Sequence, residues 1–413
     1  MQNFLLTEEA RCEAERLCSM LVSSSSYAIP SDSVGYPIAA IGSRRVFACL
    51  IALDKSGLRH VLYAFSGSIR GEYMVPGYVP PCFSVNGFME AVKESDDAIH
   101  ELTRLIDSGE KGLIERRREL SRDATERIMD LYSFSMWDGR RMGLPRPCPT
   151  GTGDCAGLKA INAALRKGWE IKGLAEFEIV DGNPVFHQPC EERCGLLLPE
   201  MLGLDYIYID SDIAVIDKEA GMLSVPGRGE DKLDSASYRF HRLFPSSPEQ
   251  PFVHRLDMDT SGLLVLAMNR DAHRRLSMDF EARNVKKRYE ALLEGIVEES
   301  EGVIDLPIRL DVDNRPYQIV DHVNGKRAVT RWKRLGIETH YGRKCTRVMF
   351  FPETGRTHQL RVHSASGLGH PILGDRLYGT RNEGERLCLH ASSIVFTHPT
   401  SGERMEFSAP SPF

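Results

Sequence analysis

The stretch HRLDMDTSG, at residues 254–262, places two carboxylates, a histidine, an arginine and two hydroxyl groups close together in the sequence. Carboxylate, imidazole, guanidinium and hydroxyl groups in one short cluster could form a catalytic site. The cluster stands between the apolar pair Phe252-Val253 and a strand pattern from Leu263 to Met268, which predicts a loop held between ordered elements. A polar turn closed by its own backbone contacts is the other interpretation that these residues allow.

Three further segments combine basic, aromatic and turn-forming residues. The first is KKRYEA at residues 286–291, where a basic cluster precedes a tyrosine at the start of a predicted strand. The second is ETGRTHQLRVH at residues 353–363, where a turn at Gly355 leads into a predicted helix. The third is GHPILGDRLYG at residues 369–379, a loop rich in glycine and charge. Together with residues 254–262, these segments favour a functional site over an isolated polar turn.

The four segments resemble the motifs of the pseudouridine synthases of the ribosomal large subunit synthase A type. The patterns HRLD-x-x-TSG, K-x-Y-x-A, TGR-x-HQ-[LI]-R-VH and GHP-I-x-GD-x-x-YG all occur, and in the family's order. The stretch YIDSDIAVIDKEAGMLSVPG also resembles the family's opening strands, with Glu219 where proline is usual. The resemblance runs from about residue 205 to the C-terminus, and residues 1–200 lie outside it.

This resemblance implies an isomerase that converts specific uridines of structured ribosomal or transfer RNA to pseudouridine, an RNA-modification step in rRNA or tRNA processing. The C1′–N1 glycosidic bond breaks, the uracil turns, and C1′ joins C5, so the reaction is redox-neutral and needs no cofactor. By the same resemblance Asp257 is the catalytic aspartate, Arg361 is the arginine that pairs with it, and Tyr289 packs on the target base. These three residues form the predicted catalytic set.

RNA binding is the second prediction that the resemblance carries. A uridine in a stem or a stacked loop must be extruded before it reaches such a pocket, and Arg255 matches the family residue that fills the vacated stack. Basic side chains around the cleft are predicted to bind phosphates. The residues assigned to substrate binding are Arg255, Arg356, Lys286, Lys287 and Arg288. We interpret His254, His358 and His363 as hydrogen-bonding scaffold and Asp259 as structural.

Two other functions stay open from the sequence. Several histidines could converge with Asp257 on a metal ion for hydrolysis, although compact ligand spacing such as His-Glu-x-x-His is absent from the sequence. The other alternative is a non-catalytic RNA-binding or ribosome-assembly protein that retains the fold. That alternative predicts the loss of Asp257, Tyr289 or Arg361, and all three are present.

Four cysteines near the middle of the chain form two pairs with C-x6-C and C-x3-C spacing, namely Cys148, Cys155, Cys190 and Cys194. Four thiolates around one ion would make a structural zinc site, separate from the cofactor-free catalysis. Against zinc, the first spacing is longer than usual, and free cysteines are common in protein cores. Both interpretations stay open.

The elements that must position these residues divide the chain into four predicted parts. Residues 1–90 form a β-rich region with a hairpin in RVFACLIALDKSGLRHVLYAFSG. Residues 91–135 form a charged helical arm, interrupted near Gly109 and Gly112. Residues 136–202 form a cysteine-containing junction, and residues 203–413 form the catalytic domain. In that domain short helices interrupt strands irregularly, which predicts an α+β fold on a largely antiparallel mixed sheet, preceded by an N-terminal region of mixed α and β structure with a long helical segment.

Composition sets the outer limits on function. A chain of 413 residues predicts two or three domains. No apolar run approaches the roughly 18 residues of a membrane helix, so a soluble protein without membrane partners is expected. The start MQNFLLTEEA lacks a secretory pattern, so the ten cysteines predict a reducing, cytoplasmic environment. With a net charge of −6, and 29 basic against 30 acidic residues from Gly203 onward, RNA binding must be local. We expect a monomer.

Overall fold

The computed structural model describes residues 3–24, 45–69, 71–227, 229 and 232–413. These residues form two compact units. The N-terminal unit comprises Met1–Ser211 with Arg242–Phe244, and the C-terminal unit comprises Asp212–His241 and Pro245–Phe413. Within the described residues, no helix combines the length and the apolar character that crossing a bilayer requires.

The N-terminal unit is built around a four-stranded antiparallel sheet. In chain order its elements are β1 (Asn3–Phe4), α1 (Glu8–Ser24), β2 (Val46–Leu53), β3 (Arg59–Phe65), α2 (Val85–Asp107), α3 (Ile114–Asp130), β4 (Phe134–Ser135), β5 (Arg141–Met142), α4 (Ala156–Lys167), β6 (Glu170–Val180), β7 (Asn183–His187), α5 (Leu198–Leu202) and β8 (Asp205–Ile209). The strand order is β3-β2-β6-β7. The β2–β3 pairing confirms the predicted hairpin.

Pairing between distant segments joins the parts that the sequence separated. Strand β2 pairs with β6 along its whole length, so the predicted β-rich region and the predicted junction share one sheet. The residues predicted as three parts, 1–90, 91–135 and 136–202, all contribute to the N-terminal unit. That unit also extends beyond residue 203, because β8 pairs with β1 in a parallel ladder. The two compact units divide at Ser211, and the expected boundary of the catalytic domain at residue 203 stays a prediction.

The charged arm consists of two helices, one of the two arrangements that its interrupted pattern allows. Helix α2 begins at Val85, before the expected residue 91, because the Ser84 side chain accepts a hydrogen bond from the backbone N–H of Gly87 and caps the helix. The chain breaks between α2 and α3 at Gly109, whose φ of +115° is costly for any residue with a Cβ. Glycine at this position explains why the helical pattern is interrupted there.

The C-terminal unit is an α+β fold on a largely antiparallel sheet, which confirms the predicted class. From residue 212 the elements are β9 (Ile213–Lys218), α6 (Ala236–Leu243), β10 (Ser261–Ala267), α7 (Arg270–Glu281), β11 (Lys286–Glu294), β12 (Glu301–Asp305), β13 (Ile308–Leu310), β14 (Gln318–Val320), β15 (Val329–His340), β16 (Arg343–Pro352), α8 (Gln359–Val362), β17 (Leu389–Thr397) and β18 (Arg404–Ser408). The sheet order is β9-β10-β17-β11-β16-β15-β12, and β18 pairs with β17. The β10–β17 pairing is parallel, and β10–β9 and β11–β17 are antiparallel.

The end of the HRLDMDTSG stretch is fixed by a close approach between strands. Gly262 pairs with Ala391 in the parallel β10–β17 ladder and has a φ of +114°. A Cβ at this position would lie 2.5 Å from the backbone nitrogen and oxygen of Ala391. Only glycine fits both the conformation and the space, so this residue sets where the preceding loop meets the sheet.

The predicted helix at residues 357–366 is shorter and less regular than expected. Helix α8 covers Gln359–Val362, and a π-helical turn follows at His363–Gly367. Leu360 of α8 packs in the core with Leu293, Val348 and Phe350 of the sheet. That contact holds the short helix against β11 and β16, and π-helical turns are frequent at functional sites.

Candidate active site

A cavity of about 990 Å³ lies in the C-terminal unit, and the predicted site residues meet there. Its lining includes all eight residues predicted to act in catalysis or substrate binding, namely Asp257, Tyr289, Arg361, Arg255, Arg356, Lys286, Lys287 and Arg288. Residues of three of the four sequence motifs line the cavity. The fourth motif contributes Asp375, which forms hydrogen bonds with the cavity residue Arg361. The roles of the individual residues stay predictions.

Asp257 sits on a loop that is fastened on both sides. Before it, the Ser224 hydroxyl donates to the carbonyl of Leu256 at 2.7 Å and accepts from the Leu256 N–H at 3.1 Å. After it, the Asp257 carbonyl accepts a hydrogen bond from the Thr260 N–H at 3.1 Å. These bonds satisfy the backbone of the loop, so the carboxylate is presented from a rigid support.

Lys218 is a further support that sequence reasoning missed. Its side chain is 1% exposed, and its ammonium donates to the carbonyls of Met258, Met222 and Glu219 at 3.1, 2.8 and 2.7 Å. Burial lowers its pKa to about 8. The Lys218 ammonium contacts the backbone carbonyl of Glu219, so this bond does not depend on the side chain at that position.

Arg361 lies between two carboxylates. Its side chain is buried, with 3% of the residue exposed, and its Nη1 lies 3.7 Å from Oδ2 of Asp257. Its Nε and Nη2 donate to the two oxygens of Asp375 at 2.8 and 2.6 Å. This bidentate, charge-assisted pair directs the remaining nitrogen toward Asp257. Asp375 has no exposed surface, and it was not among the predicted site residues.

His358 also approaches the predicted catalytic carboxylate. Its Nε2 lies 4.0 Å from Oδ2 of Asp257, and its Nδ1 lies 2.8 Å from the hydroxyl oxygen of Tyr378. The backbone at His358 is left-handed, with a φ of +54°. Such a conformation is uncommon outside glycine and often marks a functional site. Burial lowers the pKa of His358, and the charge of Asp257 opposes that shift.

Tyr289 stands at an irregularity in its strand. The β11–β17 register shifts between Arg288 and Glu290, while Tyr289 stays paired with Phe350 of β16. A bulge of this kind re-aims a side chain, and the tyrosine ring is half-buried at the cavity wall. Burial raises the pKa of Tyr289, and the nearby charge of Asp257 adds to the effect. The phenol therefore stays neutral at ordinary pH.

The cavity rim is basic, although the chain as a whole is acidic. Arg255, Lys286 and Arg288 are exposed at the rim. Lys287 lies deeper, with its ammonium 5.8 Å from the centre of the Phe280 ring, and burial lowers its pKa. Additional rim cations that sequence reasoning did not single out are Arg283, Arg331 and Arg404. These three residues share a basic side chain on an element that faces the cavity. That position can be recognised only when the fold is known.

The motif histidines have hydrogen-bonding partners of their own. His254 Nε2 accepts from the Val265 N–H at 3.0 Å, and burial lowers its pKa to about 3. The two ring nitrogens of His363 lie 3.0 Å from the Thr330 hydroxyl and 3.2 Å from the Leu306 carbonyl. In the part of the chain that the structure describes, the groups of side chains able to share a metal ion do not include Asp257. This geometry fits the scaffold interpretation and gives metal-assisted hydrolysis no support.

The N-terminal unit brings together three of the four predicted metal-binding cysteines. The thiols of Cys155, Cys190 and Cys194 all lie within 4.8 Å of one another, and the Cys190 and Cys194 sulfurs are 3.9 Å apart. Cys148 is not a member of this group among the described residues, so three of the four cysteines predicted to bind zinc meet in the structure. Cys148 lies in an irregular segment that precedes α4.

The sequence of this chain is similar to those of known proteins. The family model for RNA pseudouridylate synthase matches residues 212–366. The chain is 44% identical over 213 residues to the dual-specificity RNA pseudouridine synthase RluA of Haemophilus influenzae, which covers 51% of this chain and 94% of that relative. It is 43% identical over 218 residues to RluA of Escherichia coli K12, covering 52% and 96%.

A solved structure with a related sequence is the human RNA pseudouridylate synthase domain containing 1. It is 32% identical and covers 51% of this chain and 84% of that chain, with a TM-score of 0.44. Nearly the full length of both bacterial relatives aligns with about half of this chain. The residues that the family model matches, 212–366, include Asp257, Tyr289 and Arg361. This chain belongs to the RluA-type family of RNA pseudouridine synthases.

Proposed function

We propose that this chain isomerises specific uridines of structured ribosomal or transfer RNA to pseudouridine, with Asp257 as the catalytic carboxylate. The observation that carries the proposal is the buried Arg361, whose guanidinium lies 3.7 Å from Asp257 inside a basic cavity. Cleavage of the C1′–N1 bond develops positive charge on the sugar, and an ionised carboxylate next to C1′ stabilises that charge or forms a covalent bond with it. The Arg361 guanidinium lies beside that carboxylate and orients it for the reaction.

The other cavity residues have complementary roles in this proposal. Tyr289 gives the freed uracil a flat surface on which to turn, because aromatic rings stack on any base. Arg255, exposed at the rim, occupies the gap left by the extruded nucleotide. Lys286, Lys287, Arg288 and Arg356 bind phosphates near the flipped base. The reaction moves one glycosidic bond without net oxidation, so these residues need no cofactor.

The test is release of tritium from C5 of uridine in labelled ribosomal and transfer RNA. Asp257→Asn should abolish release while RNA affinity stays close to wild type, because the charge is needed in the transition state and not for phosphate binding. Asp259→Asn is the matched control, since Asp259 pairs at 3.0 Å with the half-exposed Arg376 and does not line the cavity. Wild-type protein that binds RNA without releasing tritium would instead favour a non-catalytic RNA-binding protein.

We further propose a structural zinc site at Cys155, Cys190 and Cys194. A tetrahedral ion with zinc–sulfur distances of about 2.3 Å holds its sulfurs about 3.8 Å apart, close to the 3.9 Å between Cys190 and Cys194. The fourth position would take a water or another non-thiol ligand. These cysteines belong to the N-terminal unit, and Asp257 belongs to the C-terminal unit, so the ion would stabilise the fold without taking part in the reaction.

Zinc content of the untagged full chain tests the metal proposal. Cys190→Ser should lose the zinc, and Cys148→Ser should keep it. Both cysteines lie outside the buried core, so neither change should disturb the packing. Less than about a tenth of an equivalent of zinc in the wild type, with all of these thiols titratable in the folded protein, would contradict the site.

We propose residues 203–413 as the catalytic domain and residues 1–202 as an accessory region.

A cytoplasmic location fits the ten cysteines, which are all free thiols in the structure, because reducing compartments keep thiols reduced. A monomer is sufficient, since all eight predicted cavity residues come from one chain. Sedimentation of the full chain with and without RNA tests the monomer.

A further inference from the structure

We propose that Tyr378 is a positioning residue that holds His358 in one tautomer, with the Nε2–H of His358 directed at Asp257. Tyr378 lies outside the cavity lining and contacts His358, whose Nε2 lies 4.0 Å from Oδ2 of Asp257. The inference rests on the proposed function, in which Asp257 is the catalytic carboxylate. It gives that carboxylate a second donor besides Arg361.

The direction of the hydrogen bonds begins at a backbone group that can only donate. The N–H of Gln318 donates to the Tyr378 hydroxyl oxygen at 2.8 Å. The same oxygen lies 2.8 Å from Nδ1 of His358. Gln318 can only donate to this oxygen, and among the described residues the hydroxyl's other hydrogen-bonding neighbour is Nδ1 of His358, so the single O–H donates to Nδ1. The backbone of β14 donates to Tyr378, and Tyr378 in turn donates to the imidazole of His358.

A neutral imidazole carries one proton, so a ring that accepts at Nδ1 must carry its hydrogen on Nε2. Burial lowers the pKa of His358 and raises the pKa of Tyr378 to about 12, and both shifts favour neutral partners. The charges around the imidazole are Asp257, Arg361, Asp375 and Arg255, two of each sign. His358 therefore acts as a hydrogen-bond donor toward Asp257 and has no free nitrogen for accepting a proton.

The distance from His358 Nε2 to Asp257 Oδ2 is 4.0 Å, longer than an ordinary hydrogen bond. Catalytic hydrogen bonds are often long without substrate and shorten when substrate closes the site. The left-handed backbone at His358 sets the direction in which the side chain leaves the chain, and the bond to the Tyr378 hydroxyl sets the orientation of the imidazole ring. Little reorganisation is then needed when a nucleotide enters.

Tyr378 makes a second, separable contact with the same site. Its ring packs against the guanidinium of Arg361, with 5.2 Å between the Arg361 Cζ and the ring centre. Its backbone N–H donates to Asp375 at 3.2 Å. The variant Tyr378→Phe keeps the ring and the backbone bond and removes the hydroxyl, so it changes the bonds to His358 and to the Gln318 N–H while the contact with Arg361 stays.

The test combines kinetics with nitrogen NMR of the imidazole. We expect Tyr378→Phe to lower kcat about tenfold with little change in KM, the loss of roughly one useful hydrogen bond. Tyr317→Phe is the matched control, because its half-exposed ring touches Tyr378 at 5.8 Å between centres but lies outside the cavity. It should keep wild-type kinetics.

In wild-type protein labelled with ¹⁵N-histidine, the His358 signals, assigned by their loss in His358→Gln, should report the Nε2–H tautomer at pH 7. Tyr378→Phe should give a mixture of tautomers. An Nδ1–H tautomer or an imidazolium in the wild type, or unchanged signals and kcat in Tyr378→Phe, would overturn the proposal. The NMR result does not depend on turnover, so a wild type without isomerase activity would refute the proposed function separately.

Discussion

Replacing Asp375 with asparagine should destabilise the C-terminal unit and misplace Arg361 at the same time. Asparagine keeps the shape of the side chain, but it loses the charge and turns one acceptor into a donor that faces a guanidinium N–H. Arg361 would then keep a single carboxylate neighbour, Asp257, at 3.7 Å. The two short bonds to Asp375 at 2.8 and 2.6 Å would be reduced to at most one bond, to an uncharged amide oxygen.

The magnitude follows from burial. Asp375 has no exposed surface and Arg361 has 3%, so solvent cannot replace the lost partner. Removing one member of a buried ion pair costs roughly 3–5 kcal/mol, and the remaining amide contact puts Asp375→Asn near the lower end, about 3 kcal/mol. Misplacement of a group beside the reacting carbon by about 1 Å can cost about 100-fold in rate, which is the scale expected for kcat.

Urea unfolding followed by a probe in the C-terminal unit measures the first effect, and tritium release measures the second. Asp305→Asn is the matched control. It makes the same change of charge in an ion pair with Arg327, in which both side chains are about half exposed or more, so its cost should be below about 1 kcal/mol. If both variants lose the same small free energy of unfolding, the buried pair does not support the site as argued.

Two other predictions follow from the cavity and its surroundings. Tyr289→Phe should retain most activity and Tyr289→Ala should lose it, because the ring face and not the hydroxyl supports the base; equal damage in tritium release would assign the role to the hydroxyl. The pKa of His254 is lowered to about 3 and that of His390 to about 4, in both cases by burial, so both should stay neutral at pH 5 in an NMR titration. The unfolded chain then binds protons that the native state does not, and the free energy of unfolding should fall as pH drops from about 6.5 toward 4; native-state protonation of these rings near pH 6.5 would contradict this.

Much of the local structure and most of the cavity could be read from the sequence. The hairpin of β2 and β3 and the two helices interrupted at Gly109 follow from alternation, helical spacing and a glycine conformation, which are properties of neighbouring residues. The cavity residues were found because they stand within short motifs whose order and spacing resemble a known family. Each motif carries its polar residues on one loop or strand, so finding the motif also found the side chains.

Partners that lie far apart along the chain were decided by the tertiary structure. Lys218 reaches the carbonyl of Met258, 40 residues away, across the β9–β10 pairing. Asp375 meets Arg361 because α8 and the following loop fold back on each other, and Tyr378 meets Gln318 from 60 residues away. Neither a spacing nor a residue type specifies such a pairing, because it depends on how the strands and loops pack.

The cysteines also show that spacing in the sequence does not determine which side chains meet. Spacing alone grouped Cys148 with Cys155, Cys190 and Cys194, whereas the fold brings only the last three together among the described residues. The sequence by itself determined which side chains could do chemistry and on which local elements they stand. The tertiary structure decided which of them meet, because the direction of a side chain depends on the backbone conformation and on contacts between segments that are distant in the chain.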